Sequence, residues 1–347
     1  MIGLTLSGGG VNGSYQIGAF MAFKECGIKF DGITGTSIGA FNGAVLASNM
    51  ESELLDFWLN VDVGRLLGFN QKYLDKVKNK QIDLEYFLLK FDNFVDILKN
   101  QGVSIDGLQR VLEDFGLEDK IRKSKIIYGL STLRLKDNKP LNLFLEDIPY
   151  GSLNNYILAS CYLPIFKREK LEDDSYFFDG GIHNYCPVNM LLDKGFKKVY
   201  AIDLKAIGIS EIVKDKSKVV YLRPSRKLSS MISLDQEAIK ENIRMGYYDT
   251  LKYLKGYDGN EYIFKKKSKL YYKLITSKVS KKTLALASGF FGTSSKKELV
   301  IRSLEYILKK DQQTYYQIYK VNELIRKYQN HDSKAIAIRF ISELLKF

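Results

Sequence analysis

The first 47 residues constrain the fold more than any other part of the chain. Residues 2–6 read as a short buried strand that runs straight into Ser7-Gly8-Gly9-Gly10-Val11-Asn12-Gly13, and a helical pattern follows over 15–25. Strand or turn material is expected at 28–30 and 32–34. A second tight turn, Gly35-Thr36-Ser37-Ile38-Gly39, then leads into a helical pattern over 40–49. Strand, glycine turn and helix, repeated at this short spacing, are the grammar of an α/β protein with a parallel sheet, because parallel neighbours need a helical crossover between them.

Further strands are expected near 125–133, 141–144, 176–178, 199–204 and 219–223. Helices are expected at 51–67, 84–99 and 105–115, and another ends at 156–160, where Pro164 stops it. Beyond Leu234 the pattern is almost wholly helical. No internal repeat is present, and the most linker-like stretches are 265–269 and 289–295.

With 347 residues, 45% apolar and 27% charged, the chain can bury a sizeable core without covalent staples. Cys26, Cys161 and Cys186 are widely separated. That spacing excludes a disulfide framework or a cysteine-rich zinc site and fits a reducing compartment. The only histidines are His183 and His331, too few for a poly-His metal centre and barely enough for a Ser-His-Asp triad. The N-terminus has no basic segment ahead of an apolar one, so no signal peptide is expected. The longest apolar run, 38–47, is broken by Asn42 and is too short to span a membrane. A cytoplasmic protein, at most peripheral to a membrane, is the expectation.

Net charge is +13 and unevenly placed: residues 256–347 hold 19 Lys and Arg against 8 Asp and Glu. A basic C-terminal third suits a polyanionic partner, and it equally suits a solvated lysine-rich surface. The apolar stretch Leu284-Ala285-Leu286-Ala287-Ser288-Gly289-Phe290-Phe291 lies between Lys281-Lys282 and Lys296-Lys297. That arrangement would dock on anionic lipid, or pack as a helix hairpin. Nucleic acid is not expected, because no recognition motif accompanies the charge.

Three motifs could carry chemistry. Gly35-Thr36-Ser37-Ile38-Gly39 fits the nucleophile elbow, in which flanking glycines let a sharp turn present a serine ahead of a helix N-terminus. Gly8-Gly9-Gly10 exposes backbone N–H groups that could bind an oxyanion. With Gly13, and with Asp31 18 residues further on, the same glycines also fit a dinucleotide fingerprint; a bare strand-to-helix turn is the third option. Asp179-Gly180-Gly181, at the end of a strand, presents a carboxylate without steric cover, as a solvated turn aspartate also would.

Together these motifs resemble the patatin-like phospholipase family. The resemblance rests on residues 7–13, on 35–40, and on Phe178-Asp179-Gly180-Gly181-Ile182-His183-Asn184. Weaker likeness appears at Ala159-Ser160-Cys161-Tyr162-Leu163-Pro164-Ile165-Phe166, at Cys186-Pro187-Val188 and at Gly246-Tyr247-Tyr248-Asp249. It implies a three-layer α/β fold with a central, mostly parallel sheet flanked by helices. The catalytic domain would cover 1–205, with a core that could extend to about 255. A mainly helical, basic region would follow over 206–347.

The resemblance also implies a serine acyl hydrolase acting on phospholipid or related lipid esters, with Ser37 as nucleophile and Asp179 as its base. Gly8, Gly9 and Gly10 would form the oxyanion hole. Asn12, Gly13, Gly35, Gly39, Gly180 and Gly181 would support the motifs. No cofactor or metal is implied, and no acidic loop resembles a calcium site. His183 reads as a turn residue beside the site and His331 as surface. The family usually carries Arg or Lys where this chain has Asn12, a departure that bears on oxyanion strength and head-group contact. The alternatives are a catalytically weak or silent lipid- or partner-binding module of the same fold, or a Rossmann dinucleotide binder. Helices within 51–125 are candidate walls of an acyl pocket, although their apolar residues suit ordinary core.

Overall fold

The computed structural model describes residues 1–66, 104–164, 166–206, 208–328 and 335–344. The chain divides into two compact units, Met1–Asp249 and Thr250–Phe347. Beyond residue 205, β7 (Val219–Leu222) pairs with β6 (Lys198–Ile202) and belongs to the first unit's sheet.

In the first unit, β1 (Ile2–Leu6) lies at the centre. β2 (Gly32–Thr36) and β6 pair parallel to it on either side. β3 (Ile127–Arg134) extends the sheet parallel to β2, and β4 (Lys139–Phe144) closes that edge antiparallel. The order is β4-β3-β2-β1-β6-β7. The short β5 (Phe177–Asp179) also pairs antiparallel with β3, opposite Thr132 to Arg134. Over the same residues β4 occupies the other edge of β3, so β5 takes the edge that β2 leaves when it ends at Thr36.

Helices cover both faces. α2 (Ile38–Ala47) is buried along its whole length and packs over β2 and β3, where Gly43 leaves room for Ile33 and Tyr128. On the opposite face, the helix Val188–Asp193 and the residues after it set Leu191 and Phe196 against Gly3 and Gly32, which are paired across β1 and β2. A Cβ at either glycine would lie about 2.5 Å from those side chains, so the sheet needs glycine there. α1 (Ser14–Glu25) crosses the helix Gln236–Lys255 at Gly18 and Gly246, each pressed against the other's backbone.

The expected helix over 51–67 is two pieces, Glu51–Asn60 and Val63–Leu66. Residues 28–30 form no strand and follow a turn at Cys26 and Gly27. The helix expected over 84–99 lies outside the described residues.

The second unit has its own apolar core, centred on Tyr272, Leu299, Leu304, Ile307 and Phe340. Ser268, Ser280 and Ser295 each cap a helix by accepting an N–H three residues on. A helical pattern alone missed one feature: Ile263–Phe264 pairs parallel with Ile318–Tyr319, two residues each. The stretch 289–295 is a helix end and a turn, with Gly289 inside the helix Lys281–Phe291 and Gly292 left-handed beyond it. Residues 250–347 contain 21 Lys and Arg against 8 Asp and Glu, whereas 1–249 contain 32 of each; the chain's excess charge thus belongs to the second unit.

Candidate active site

Ser37 sits where β2 becomes α2, with φ 56° and ψ −131°. This is a strained conformation for a residue with a side chain, and only dense surroundings hold it. Gly35 and Gly39 allow the turn: a Cβ at Gly35 would lie 2.1 Å from the Gly39 carbonyl oxygen, and one at Gly39 would lie 2.3 Å from that of Leu6. The Ser37 N–H donates to Ser160 Oγ at 2.9 Å, and that hydroxyl donates to the Ser131 carbonyl at 2.7 Å. A buried serine thus bridges the elbow to β3. Ser160 was visible in the sequence as part of a family-like segment, but its role was not.

Because β5 takes the edge vacated at Thr36, Asp179 arrives beside Ser37 although 142 positions separate them. Gly180 permits this approach, since a Cβ there would lie 2.1 Å from the Ser131 oxygen. Asp179 Oδ1 accepts the Gly181 N–H at 2.7 Å, and Oδ2 is buried without a formed hydrogen bond. Burial pushes the Asp179 carboxyl up to about 6, opposed by the neighbouring Ser37 hydroxyl and the Gly181 N–H. The hydroxyl is thus close enough to favour the carboxylate yet not in bonding geometry, a looseness common in sites without substrate. Cys161 also borders Ser37, and burial raises its thiol well above the usual range, so it stays protonated and unreactive.

The glycine segment follows β1. The Gly8 N–H donates to the Tyr185 carbonyl at 2.9 Å and is spent. Gly9 and Gly10 keep N–H groups without an acceptor among the described residues. Gly9 and Gly10 are glycine by necessity, since Cβ atoms there would meet Leu204 at 2.7 Å and the Met231 carbonyl oxygen at 2.1 Å. Beneath them, Gln16 Nε2 donates to the Ser7 carbonyl, and Asn42 joins Gln16, the Gly13 carbonyl and Trp58 Nε1 in one buried network. A Cβ at Gly13 would strike Ile38 at 2.7 Å.

Asn12 is buried. Its amide donates to the Ser229 carbonyl at 3.0 Å, and its Oδ1 accepts from Ser229 Oγ and Asn242 Nδ2. Where the family has a cation, this chain has a knot that holds segment 224–232 against the glycine turn.

A cleft of about 310 Å³ joins these parts. Gly8, Gly9, Gly10, Ser37 and Asp179 line it, with Leu163, Pro164, Ile182, Ile209 and Ile232 as apolar walls. Ala206, Gly208, Ile209, Met231 and Ile232 had no signal in the sequence as site residues. None of the described residues of 51–125 lines the cleft. There Leu54 and Trp58 are core, and Phe57 packs edge-on to Phe41 and Phe115. Leu67, Phe69, Phe87, Leu88, Phe91 and Phe94 lie outside the described residues, as does His331. His183 is in the short helix Gly181–Asn184, with Nε2 3.7 Å from Glu211 Oε1.

The dinucleotide reading fails on position. Asp31 Oδ2 accepts the Ile2 N–H at 2.7 Å, at the start of β1, while the glycines follow its end. About four residues of strand, roughly 13 Å, separate the carboxylate from the turn it would have to serve.

The fold and these motifs place the chain in a class. The patatin-like phospholipase profile matches residues 4–192, more than half of the sequence, and the chain belongs to that family. Among curated proteins it is similar to "Lysophospholipase nte1" of Aspergillus terreus, with 27% identity over 209 residues covering 59% of this chain and 12% of the relative. It is also similar to "Lysophospholipase NTE1" of Yarrowia lipolytica, with 27% identity over 206 residues, 59% of this chain and 13% of the relative. The chain thus spans about an eighth of the length of these relatives. Among solved structures, VipD from Legionella pneumophila aligns with a TM-score of 0.46 and 14% identity, over 98% of this chain and 83% of that one.

Proposed function

We propose that this chain is a serine lipid acyl hydrolase of phospholipase A or lysophospholipase type. The carrying observation is a strained Ser37 beside a buried Asp179, in one cleft with two unspent glycine N–H groups. Ser37 Oγ attacks the ester carbonyl carbon while Asp179 accepts the hydroxyl proton. The oxyanion is met by the N–H groups of Gly9 and Gly10 and by the first N–H of α2, at Ile38, with the helix dipole behind it. Collapse expels the alcohol or lysolipid, which takes the proton from Asp179. Water, deprotonated by Asp179, then frees the fatty acid from Ser37. A carboxyl near 6 is a better base at neutral pH than an ordinary aspartate, and it supplies the basicity that a histidine gives in a triad.

The test is fluorophosphonate labelling of wild type, Ser37→Ala and Asp179→Asn, with ester hydrolysis followed in parallel. Wild type should label and turn over, and Ser37→Ala should do neither. Labelling that persists in Ser37→Ala removes the assignment. A wild type that binds lipid but neither labels nor hydrolyses supports the binding-module alternative.

The second unit suits docking on an anionic membrane from the cytoplasmic side. Lys282, Leu286 and Phe290 follow one another at four-residue steps on one exposed helix face, and Phe290 stacks edge-on with exposed Tyr306. Three free thiols suit a reducing compartment. No helix among the described residues is long and apolar enough to cross a membrane. Each lysine near an anionic surface contributes about 1 kcal/mol, so binding should need anionic lipid and weaken with salt. Equal flotation of wild type and Phe290→Glu with such vesicles would remove this surface from the account.

A further inference from the structure

Beside the candidate cleft lies a larger basin, of about 770 Å³, walled by segments 204–206 and 224–231. Ala206 and Met231 line both, so the two spaces adjoin across the glycine turn. Their chemistry differs. The cleft's walls are largely aliphatic, whereas the basin is lined by Lys205, Arg226 and Lys227 together with Ser225, Ser229 and Ser230, and by no carboxylate. This is not background charge, because the unit that holds it has equal numbers of acids and bases.

The segments are built to hold the backbone that carries these side chains in place. Lys205 has a left-handed backbone, φ 56°, fixed by its N–H to Asp203 Oδ1 at 2.9 Å. Asp203 is buried and also accepts from Tyr185 Oη and Arg223 Nε. The Ser225 N–H donates to Asp249 Oδ2, the Met231 carbonyl accepts the Val11 N–H, and Asn12 ties down Ser229. Arg226 pairs with Glu241 at 3.3 Å, whereas the ammonium groups of Lys205 and Lys227 are exposed and meet no carboxylate among the described residues.

We propose that this basin is a recognition subsite for a phosphate ester, the head-group phosphate of a phospholipid whose acyl ester lies in the cleft. The inference rests on the hydrolase reading and narrows it: phosphate-bearing lipid esters are preferred over neutral ones. Lys205 and Lys227 supply the charge, as mobile point charges suited to a phosphate at the rim, and the serine hydroxyls supply further donors.

The experiment compares wild type with Lys205→Asn/Lys227→Gln, asparagine being chosen because it tolerates the left-handed backbone at 205. Activity is measured on a lysophospholipid and on a monoacylglycerol of the same chain length. The expected result is a loss of about tenfold or more in kcat/KM on the lysophospholipid, with the monoacylglycerol rate within twofold of wild type. Lys227→Glu alone should lower the first rate further and spare the second. Equal losses on both substrates, or no loss on either, overturn the subsite.

A second arm stands apart from catalysis. Glycerol 3-phosphate and inorganic phosphate are titrated against Ser37→Ala and against that variant with both lysines replaced. Saturable glycerol 3-phosphate binding that needs the lysines supports the subsite even where no ester is cleaved, in which case only the hydrolase reading falls. Inorganic phosphate binding as tightly would identify a free-phosphate site and overturn the head-group assignment, as would no lysine-dependent binding of either probe.

Discussion

Replacing Asp179 with asparagine should abolish turnover and at the same time stabilise the protein, by an amount that depends on pH. The carboxyl is fully buried, and burial raises its pKa from 3.8 to about 6. In the unfolded chain it ionises at its ordinary value. As pH rises from about 4, the unfolded state gives up its proton first and the folded state holds on. Stability is therefore lost until the folded carboxyl also ionises near 6, and the penalty stays constant above that.

A carboxyl raised to about 6 corresponds to about 3 kcal/mol at pH 8 and to well under about 1 kcal/mol at pH 4. Asparagine never ionises, and its Oδ1 can still accept the Gly181 N–H, so the variant escapes this cost. The single tryptophan, Trp58, is buried in the first unit and reports the unfolding of that unit by fluorescence in urea. Measured at pH 4.5, 6 and 8, the stability difference between variant and wild type should grow with pH, while kcat falls by about a thousandfold or more. A difference that is flat with pH, or that shrinks as pH rises, would refute the claim that folding strains this carboxylate.

Three more outcomes follow from the same geometry. In wild type, kcat/KM should rise with pH through about 6, as the base must be deprotonated, and a pH–rate profile flat from 5 to 8 would contradict Asp179 in that role. Ser160→Ala should lower kcat about 10- to 100-fold with little change in KM, because it releases the elbow N–H and a β3 carbonyl without touching the cleft; paired kinetics and thermal unfolding check it. Gly39→Ala should cost more than about 3 kcal/mol or prevent folding, since the new methyl meets backbone at 2.3 Å. Gly27→Ala, with open space but φ 71°, should cost only about 1 kcal/mol, and denaturant titration separates the two.

The proposed nucleophile and base stand out in the sequence because their signals are local. Gly35 and Gly39 bracket Ser37 within five residues, and Gly180 and Gly181 follow Asp179 directly; Gly35, Gly39 and Gly180 are each demanded by a backbone approach that a Cβ would block. What surrounds them was not legible. Asn12 meets Ser229 from 217 positions away, and nothing in either neighbourhood announces the other. The spent N–H of Gly8 depends on a carbonyl at Tyr185, which no pattern in residues 7–13 could reveal. The pairing of residues 263–264 with 318–319 escaped because two residues carry no periodicity. Gly289 looked like a linker for the opposite reason: glycine signals a break, yet here the capping and packing around the helix Lys281–Phe291 outweigh it.

The strand order explains why the proposed chemistry and the proposed recognition meet where they do. From β1 the sheet grows one way through β2 and the other way through β6, so a crevice opens beyond the C-terminal end of β1, where the flanking connections diverge. The glycine turn occupies that crevice and can be approached from both sides. From the β2 side come Ser37 and, through the edge that β2 vacates, Asp179. From the β6 side come Leu204, Lys205 and the segment that Asn12 holds. The proposed reacting groups and the charged groups therefore stand on opposite flanks of one strand and share little beyond Ala206 and Met231. A change on the β6 flank can alter which ester is accepted without moving the serine or the carboxylate, and this separation is what lets a lysine substitution be read as selectivity rather than as damage.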